Sequence, residues 1–394
     1  MLAPHRTRRR SRSGRRLFVT ALAVAALGGL VVPAQAAGTP PPPRDRALQR
    51  QLDQLVAGPD GPPGVIALLR DGHRTAVYRA GVADTETGRP PRPDDHMRLA
   101  SVSKAYSGAV ALSLVDRGRL RLDDTIGERL PGLPAAWRHV TLSQLLNHTS
   151  GLPDFSRAPR FVKIVLADPH HRFDSRKLLG FVADKGLAFR PGSRYAYSNS
   201  DNIAVALMAE AATGRRYEQL LEHLVYRPLD LRHTSLPRGY RLPGPALHGY
   251  DVSPSAPPAD VSELLGGSGV WASGAAVATP EDLTAFIRGY AGGRLLTEPT
   301  RRRQLRFVAG SSEPAGPGTN AAGLAIFRYK TRCGTVYGHT GNTPGYTQLA
   351  AATADGRRSL TFSISTQTSK SDRPALPARV RTVQENFVCA LLRH

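Results

Sequence analysis

The sequence predicts an α+β fold, in which an antiparallel sheet built from both chain ends is flanked by helices and carries an inserted, mainly helical lobe. Apolar runs of strand length, bounded by turn residues, occupy residues 64–80 at one end and 323–366 at the other. Segments with helical periodicity and recognisable caps fill the interval between them. A last helical stretch, residues 378–392, closes the chain. With 394 residues, 41% hydrophobic and 21% charged, the polypeptide can bury a sizeable core, as one large mixed domain or two closely packed lobes.

The first 36 residues stand apart. Seven arginines and no acid precede residue 17, an apolar run of about 16 residues follows, and Ala34-Gln35-Ala36 ends it. This pattern predicts a signal peptide cut after Ala36. A retained anchor is the competing reading, but the run is short for a bilayer span. No cysteine adjoins the cut, so a secreted protein without a stable membrane anchor is expected. Arg15-Arg16-Leu17-Phe18 approximates a twin-arginine signal with Gly14 where Ser or Thr is usual, and both export routes stay open. Residues 37–45, centred on Pro40-Pro41-Pro42-Pro43, read as a stiff spacer. The globular domain is expected over residues 46–394, with its helical lobe at roughly 118–275.

Formal charge is +22, and removing the seven leader arginines leaves +15. Such basicity fits attraction to an anionic cell-wall polymer. It equally fits arginine-biased codon usage, since 47 arginines face only 6 lysines. The arginines are scattered without interleaved aromatics, so nucleic acid is not an expected partner. Cys333 and Cys389 both lie in the exported part. A single disulfide between them would constrain a loop of about 57 residues by roughly 4 kcal/mol, with two buried thiols as the alternative. Neither cysteine has a second thiol or histidine at metal-ligand spacing, and no metal or cofactor is expected.

Element by element, residues 47–56 form an amphipathic stretch, and residues 64–70 and 75–80 make a hairpin around Asp71-Gly72. Helices are predicted at 104–117, 142–147, 202–212 (stopped by Gly214), 217–225 and 281–290. The last has Thr279 placed to cap it and Pro280 at its first position. Residues 237–260, rich in Pro, Gly and Ser, read as a long loop. Strands are predicted at 323–330, 335–339, 345–353 and 359–366, the last two joined through Asp355-Gly356.

Ser101-Val102-Ser103-Lys104 sits where a helix begins, so hydroxyl and amine fall on one face within one turn. A nucleophile beside a potential base is the implication. With 26 serines and 6 lysines a chance Ser-x-x-Lys is expected roughly 0.4 times, so the tetrad alone says little. Its context says more. Arg98-Leu99-Ala100-Ser101-Val102-Ser103-Lys104, Leu145-Leu146-Asn147-His148-Thr149-Ser150-Gly151-Leu152-Pro153-Asp154, Tyr197-Ser198-Asn199 and Gly338-His339-Thr340-Gly341-Asn342 occur in this order. Together they resemble the serine hydrolases that comprise class C β-lactamases, D-alanyl-D-alanine carboxypeptidases and related esterases, from about residue 50 to the C-terminus. No Gly-x-Ser-x-Gly or Gly-x-x-x-x-Gly-Lys occurs, which argues against an α/β-hydrolase elbow and a phosphate loop.

The resemblance implies a β-lactamase/transpeptidase-like fold and a set of roles. Ser101 would be the nucleophile, Lys104 its base, and Tyr197 a second proton carrier. A lysine titrating near 10.4 is neutral in about one molecule of a few thousand at pH 7, so the helix terminus and burial must depress Lys104. Asn199 would present its amide to the acyl side chain, with Ser200 or Asp201 capping the next helix. Thr340 would bind a substrate carboxylate, Gly341 would admit the peptide, and the amides of Ser101 and Asn342 would form an oxyanion hole. His339 replaces the lysine typical of class C β-lactamases and matches many carboxypeptidases and esterases, so a permanent cation is sought elsewhere, with Arg328 as candidate. Residues 147–151 read as a structural turn, and Trp271 with Gly266 to Gly269 as the cleft floor. The expected protein is a monomeric D-alanyl-D-alanine carboxypeptidase acting on a small peptide or β-lactam. A same-fold esterase or β-lactamase is the first alternative, and a non-catalytic wall-binding protein the second.

Overall fold

The computed structural model describes residues 43–253, 255–368 and 373–393. The expected leader, residues 1–36, and spacer residues 37–42 lie outside the described residues. Residues 43–45 do not continue the spacer: they open helix α1 (Pro43–Ala57). A proline is tolerated in a first turn because its missing N–H has no helical partner there. Asp45, also in that turn, suits the positive end of the helix and accepts a hydrogen bond from the Tyr78 hydroxyl at 2.7 Å.

The predicted hairpin is present as β1 (Gly64–Asp71) and β2 (Arg74–Gly81), with Gly72 at φ +56° in the turn. The C-terminal half supplies β3 (Val308–Ala309), β4 (Thr319–Ala322), β5 (Phe327–Thr331), β6 (Gly334–Thr343), β7 (Tyr346–Ala352) and β8 (Arg358–Ile364). All pair antiparallel in the order β2-β1-β8-β7-β6-β5-β4-β3. The two chain ends meet where β1 pairs β8, from Val65 opposite Ile364 to Asp71 opposite Arg358. Val65, Ala67 and Leu69 face a core closed by α1 and the terminal helix, whereas Ile66 and Leu68 face the helical side. Both faces being covered, β1 is an unbroken apolar run rather than an alternating one.

Helix α2 (Ser103–Asp116) is buried from Ser103 to Leu114, so it lacks a polar face and its polar side chains need internal partners. Ser103 Oγ accepts from the Ala276 amide at 3.0 Å, and Ser107 Oγ donates to Asn202 Oδ1 at 2.6 Å. Helix α3 (Leu142–Leu146), opened by a Thr141/Gln144 capping box, packs on α4 (Asn199–Thr213), which is stopped by Gly214 at φ +66° and packs on α2. Helix α5 (Pro280–Ala291) packs on β7 and β8 and has the expected cap, with Thr279 accepting from the Asp282 amide. Helix α6 (Ala375–Leu392) covers the other face of the sheet.

Two stretches differ from expectation. Residues 237–260 contain a hairpin, Tyr250–Ser253 with Ala256–Asp260, because Tyr250 and Val252 are buried on one side despite the breaker-rich composition. The strand expected at 323–330 begins only at Phe327, as β5, because residues 323–326 form a tight turn after β4 in which the Gly323 amide bonds to the Ile326 carbonyl. Cys333, in the β5–β6 turn, is disulfide-bonded to Cys389 in α6, tying sheet to terminal helix. In the chain-entropy model that link is worth about 4 kcal/mol. Reduction is therefore expected to lower the thermal midpoint, as read by differential scanning calorimetry with and without dithiothreitol; an unchanged midpoint would show that the bridge does not stabilise the fold.

Candidate active site

Ala100 adopts φ +49°, a conformation non-glycine residues seldom take, and begins a short 3-10 turn (Ala100–Val102) that leads into α2. This turn places Ser101 at the helix entrance. Strand β6 lies directly against it. A Cβ added at Gly341 would sit 2.3 Å from the Leu99 carbonyl oxygen and 3.2 Å from the Ser101 nitrogen, so only glycine allows the strand this close. Gln348 on β7 donates to the Arg98 carbonyl at 3.0 Å and holds the same turn from the next strand.

Lys104, 1% exposed, comes from the first turn of α2. Its Nζ lies 3.0 Å from Ser101 Oγ, 2.8 Å from Asn199 Oδ1 and 2.7 Å from the Ser273 carbonyl oxygen. Burial lowers its pKa to about 7, against the opposing pull of Asp154, Glu313 and Asp201. Two of its three neighbours can only accept. A neutral amine has two hydrogens and one lone pair, so the hydrogens go to Asn199 and Ser273 and the lone pair is left for the Ser101 hydroxyl. The Asn199 amide orientation follows from its Nδ2, which donates to Asp154 Oδ2 at 3.1 Å and Ser156 Oγ at 3.0 Å.

Tyr197 stands beside this amine, its ring centroid 5.0 Å from Lys104 Nζ. Its hydroxyl is buried without a full hydrogen-bond partner. Burial raises its pKa well above 10, and the nearby Ser101 hydroxyl only partly offsets that. At neutral pH the arrangement therefore pairs an amine close to neutrality with an un-ionised phenol, both at one serine. His148 supports the ring from behind, with centroids 4.4 Å apart. Its Nδ1 is 2.7 Å from Asp201 Oδ2, and Asp201 Oδ1 accepts from Ser150 Oγ. Residues 147–151 are thus a structural turn, as expected, and carry the back wall of the tyrosine.

Several expected roles change. Asn199, partly exposed, does more than present an amide to substrate: its oxygen accepts from Lys104 and its nitrogen donates to Asp154 and Ser156. Ser200 and Asp201 do not cap α4 either. They lie in its first turn, Ser200 bonding to Pro153 and Phe155 and Asp201 to His148 and Ser150. Thr340 Oγ1 donates its one proton to the Pro314 carbonyl at 2.6 Å, leaving none for a carboxylate. His339 is fully buried against Phe327, and burial followed by the Lys104 charge lowers its pKa to about 3, so it is neutral. Asn342 Oδ1 accepts from Thr347 Oγ1 at 2.8 Å, which fixes the end of β6 next to the Ser101 turn. Arg328, the candidate cation, lies over the Phe307 ring at 4.8 Å. Trp271 is core, donating to Glu218 Oε1 at 3.2 Å, while Gly267 packs on Pro237 and Gly269 on Phe173 instead of flooring a cleft. Sequence reasoning missed Asp154, Ser156 and Ser273. Asp154 ended a quoted motif, which was a signal, whereas Ser273 acts through its carbonyl and left none.

A family model described as Beta-lactamase matches residues 50–385. Among solved structures, a D-stereospecific amidohydrolase from a Streptomyces species is 31% identical, with TM-score 0.72, covering 82% of this chain and 94% of that one. The D-amino acid amidase of Ochrobactrum anthropi, complexed with D-phenylalanine, is 25% identical with TM-score 0.75 over 88% of this chain and 99% of its own. Among curated proteins, penicillin-binding protein 4* of Bacillus subtilis is 24% identical over 76% of this chain and 67% of its own length. The chain spans only 33% to 46% of the length of the esterase and D-aminopeptidases it also matches.

The approach of β6 to the Ser101 turn yields a direct expectation. Gly341→Ala must push strand and turn apart, and a displacement of this kind costs about a hundredfold in rate. Turnover of a chromogenic ester by the variant, measured beside circular dichroism, checks this; wild-type turnover would show that the contact has no bearing on the site.

Proposed function

This chain belongs to the beta-lactamase family of serine hydrolases, and from that premise we propose that it cleaves amide bonds at D-configured residues through an acyl-enzyme on Ser101. Neutral Lys104 takes the hydroxyl proton as Ser101 Oγ attacks the carbonyl carbon, and the tetrahedral oxyanion is held by the backbone amides of Ser101 and Asn342. The Tyr197 phenol gives its proton to the departing nitrogen and regains one from Lys104. Water then attacks the ester carbonyl under the same base, and Ser101 recovers its proton as the acid leaves.

The observation that carries the reading is the hydrogen-bond set of Lys104, whose two fixed acceptors leave its lone pair for Ser101. The likeness to a D-stereospecific amidohydrolase and a D-amino acid amidase supports D-configured amides as substrates. D-alanyl-D-alanine carboxypeptidase activity is the second reading, favoured by the likeness to penicillin-binding protein 4*. It asks the cleft to grip a terminal carboxylate. A neutral His339 and a Thr340 hydroxyl committed to Pro314 weigh against that. We also propose that the protein works outside the cytoplasm, on the strength of its leader-like first 36 residues and the Cys333–Cys389 bridge.

Intact mass spectrometry after incubation with an uncharged serine-reactive fluorophosphonate is expected to show one adduct, mapped to Ser101 and absent from Ser101→Ala. Lys104→Ala should lose nearly as much, because members of one catalytic unit are not additive. Wild-type labelling of either variant would overturn the assignment. With a neutral ester as substrate, kcat/KM should rise with pH through about 7, since below that value Lys104 holds its proton and cannot accept another. A flat profile across neutrality would contradict a base titrating there. Faster release of D-alanine from a D-Ala-D-Ala peptide than of ammonia from D-phenylalanine amide would favour the carboxypeptidase.

A further inference from the structure

We propose that Glu313 anchors the free α-ammonium group of the substrate, so that the cleft selects D-amino acid amides and amino-terminal D-residues over their N-acylated counterparts. This rests on the reading of Ser101 as the nucleophile of an amide hydrolase.

Glu313 sits on a loop held from several sides. The carbonyl of the next residue, Pro314, accepts from Thr340 Oγ1 at 2.6 Å and from Ser312 Oγ at 3.0 Å. Ser312 Oγ in turn accepts from the Tyr329 hydroxyl at 3.1 Å, and the Ser311 carbonyl accepts from the Tyr195 hydroxyl, two residues before Tyr197. The loop is therefore tied both to β6 beside Ser101 and to the segment bearing Tyr197. A carboxylate carried on such a loop is placed in advance of binding. The residue whose hydroxyl was expected to meet a carboxylate, Thr340, instead fastens the loop that presents one.

The charge environment points the same way. Asp154, Glu313 and Asp201 are the groups whose charges act on Lys104, and all are acids. Asp154 is already saturated by the amides of Ser156 and Asn199, Ser156 Oγ and Asn199 Nδ2. Asp201 is enclosed behind Tyr197 with His148 and Ser150. Glu313 differs from both. Its side chain is 56% exposed and, among the described residues, accepts no hydrogen bond; its one ion pair is with Arg157, 3.7 Å away and 73% exposed. An exposed pair at that distance contributes little. A substrate ammonium has three donors and can displace that pairing, bonding to a carboxylate close enough to Lys104 and Asp154 for their charges to act on it. A substrate carboxylate there would meet Glu313 and Asp154, with the exposed Arg157 and a Lys104 close to neutrality in compensation. Partial burial raises the Glu313 pKa, with Arg157 opposing, so a cationic ligand would also favour its ionised form.

The test compares D-phenylalanine amide with N-acetyl-D-phenylalanine amide in the full mature chain. Wild type should prefer the free amine by about tenfold or more in kcat/KM, the scale of one charged hydrogen bond. Glu313→Gln should remove most of that preference, chiefly through KM of the free amine, and Glu313→Asp should keep part of it. An unchanged preference in Glu313→Gln, or a wild-type preference for the acetylated amide, overturns the inference while leaving the amide hydrolase in place. A wild type that cleaves neither amide overturns the amide-hydrolase reading and this inference with it.

Discussion

Everything at the site depends on one buried amine. Lys104 is held by the Asn199 side chain and the Ser273 carbonyl, and its third direction leads to Ser101. Removing an ammonium from water disfavours its charge, and the acids Asp154, Glu313 and Asp201 pull the other way. The balance near neutrality results from these opposing effects. A more deeply acidic cleft would keep the amine charged and useless as a base, and a wholly apolar one would leave nothing to orient it.

The fold supplies that balance by convergence. Helix α2 is buried on all sides, so its first turn can be enclosed only by other elements: α4 through Asn199, the turn carrying Ser273, and β6 through Gly341. The sheet in turn is assembled from both chain ends, with β1 against β8, so the position of β6 depends on a pairing that spans nearly the whole domain. Side chains that might touch substrate instead brace one another. Asn199 orients the lysine and Thr340 fastens the loop of Glu313.

What the sequence made legible follows from this division. Ser101 and Lys104 were readable as a nucleophile beside a base from residue type and the i, i+3 spacing at a helix start, and Tyr197 only through the resemblance that its motif carries. The hairpin at Asp71-Gly72 and the cap at Thr279-Pro280 were readable because turn and cap chemistry is local. The roles of Asn199 and Thr340 were not, since each is decided by a partner far along the chain: Lys104 and Asp154 for one, Pro314 for the other. The hairpin at Tyr250 was hidden by its prolines and serines, and the Ser273 carbonyl by the fact that every residue has one.

The central claim is most directly tested by titrating side chains labelled with ¹³C at lysine Cε, with the Lys104 resonance identified by its loss in Lys104→Arg. The account predicts that this resonance titrates near 7, in contrast to the ordinary lysine value of about 10.4. A Lys104 that keeps its proton up to the ordinary lysine range would contradict it.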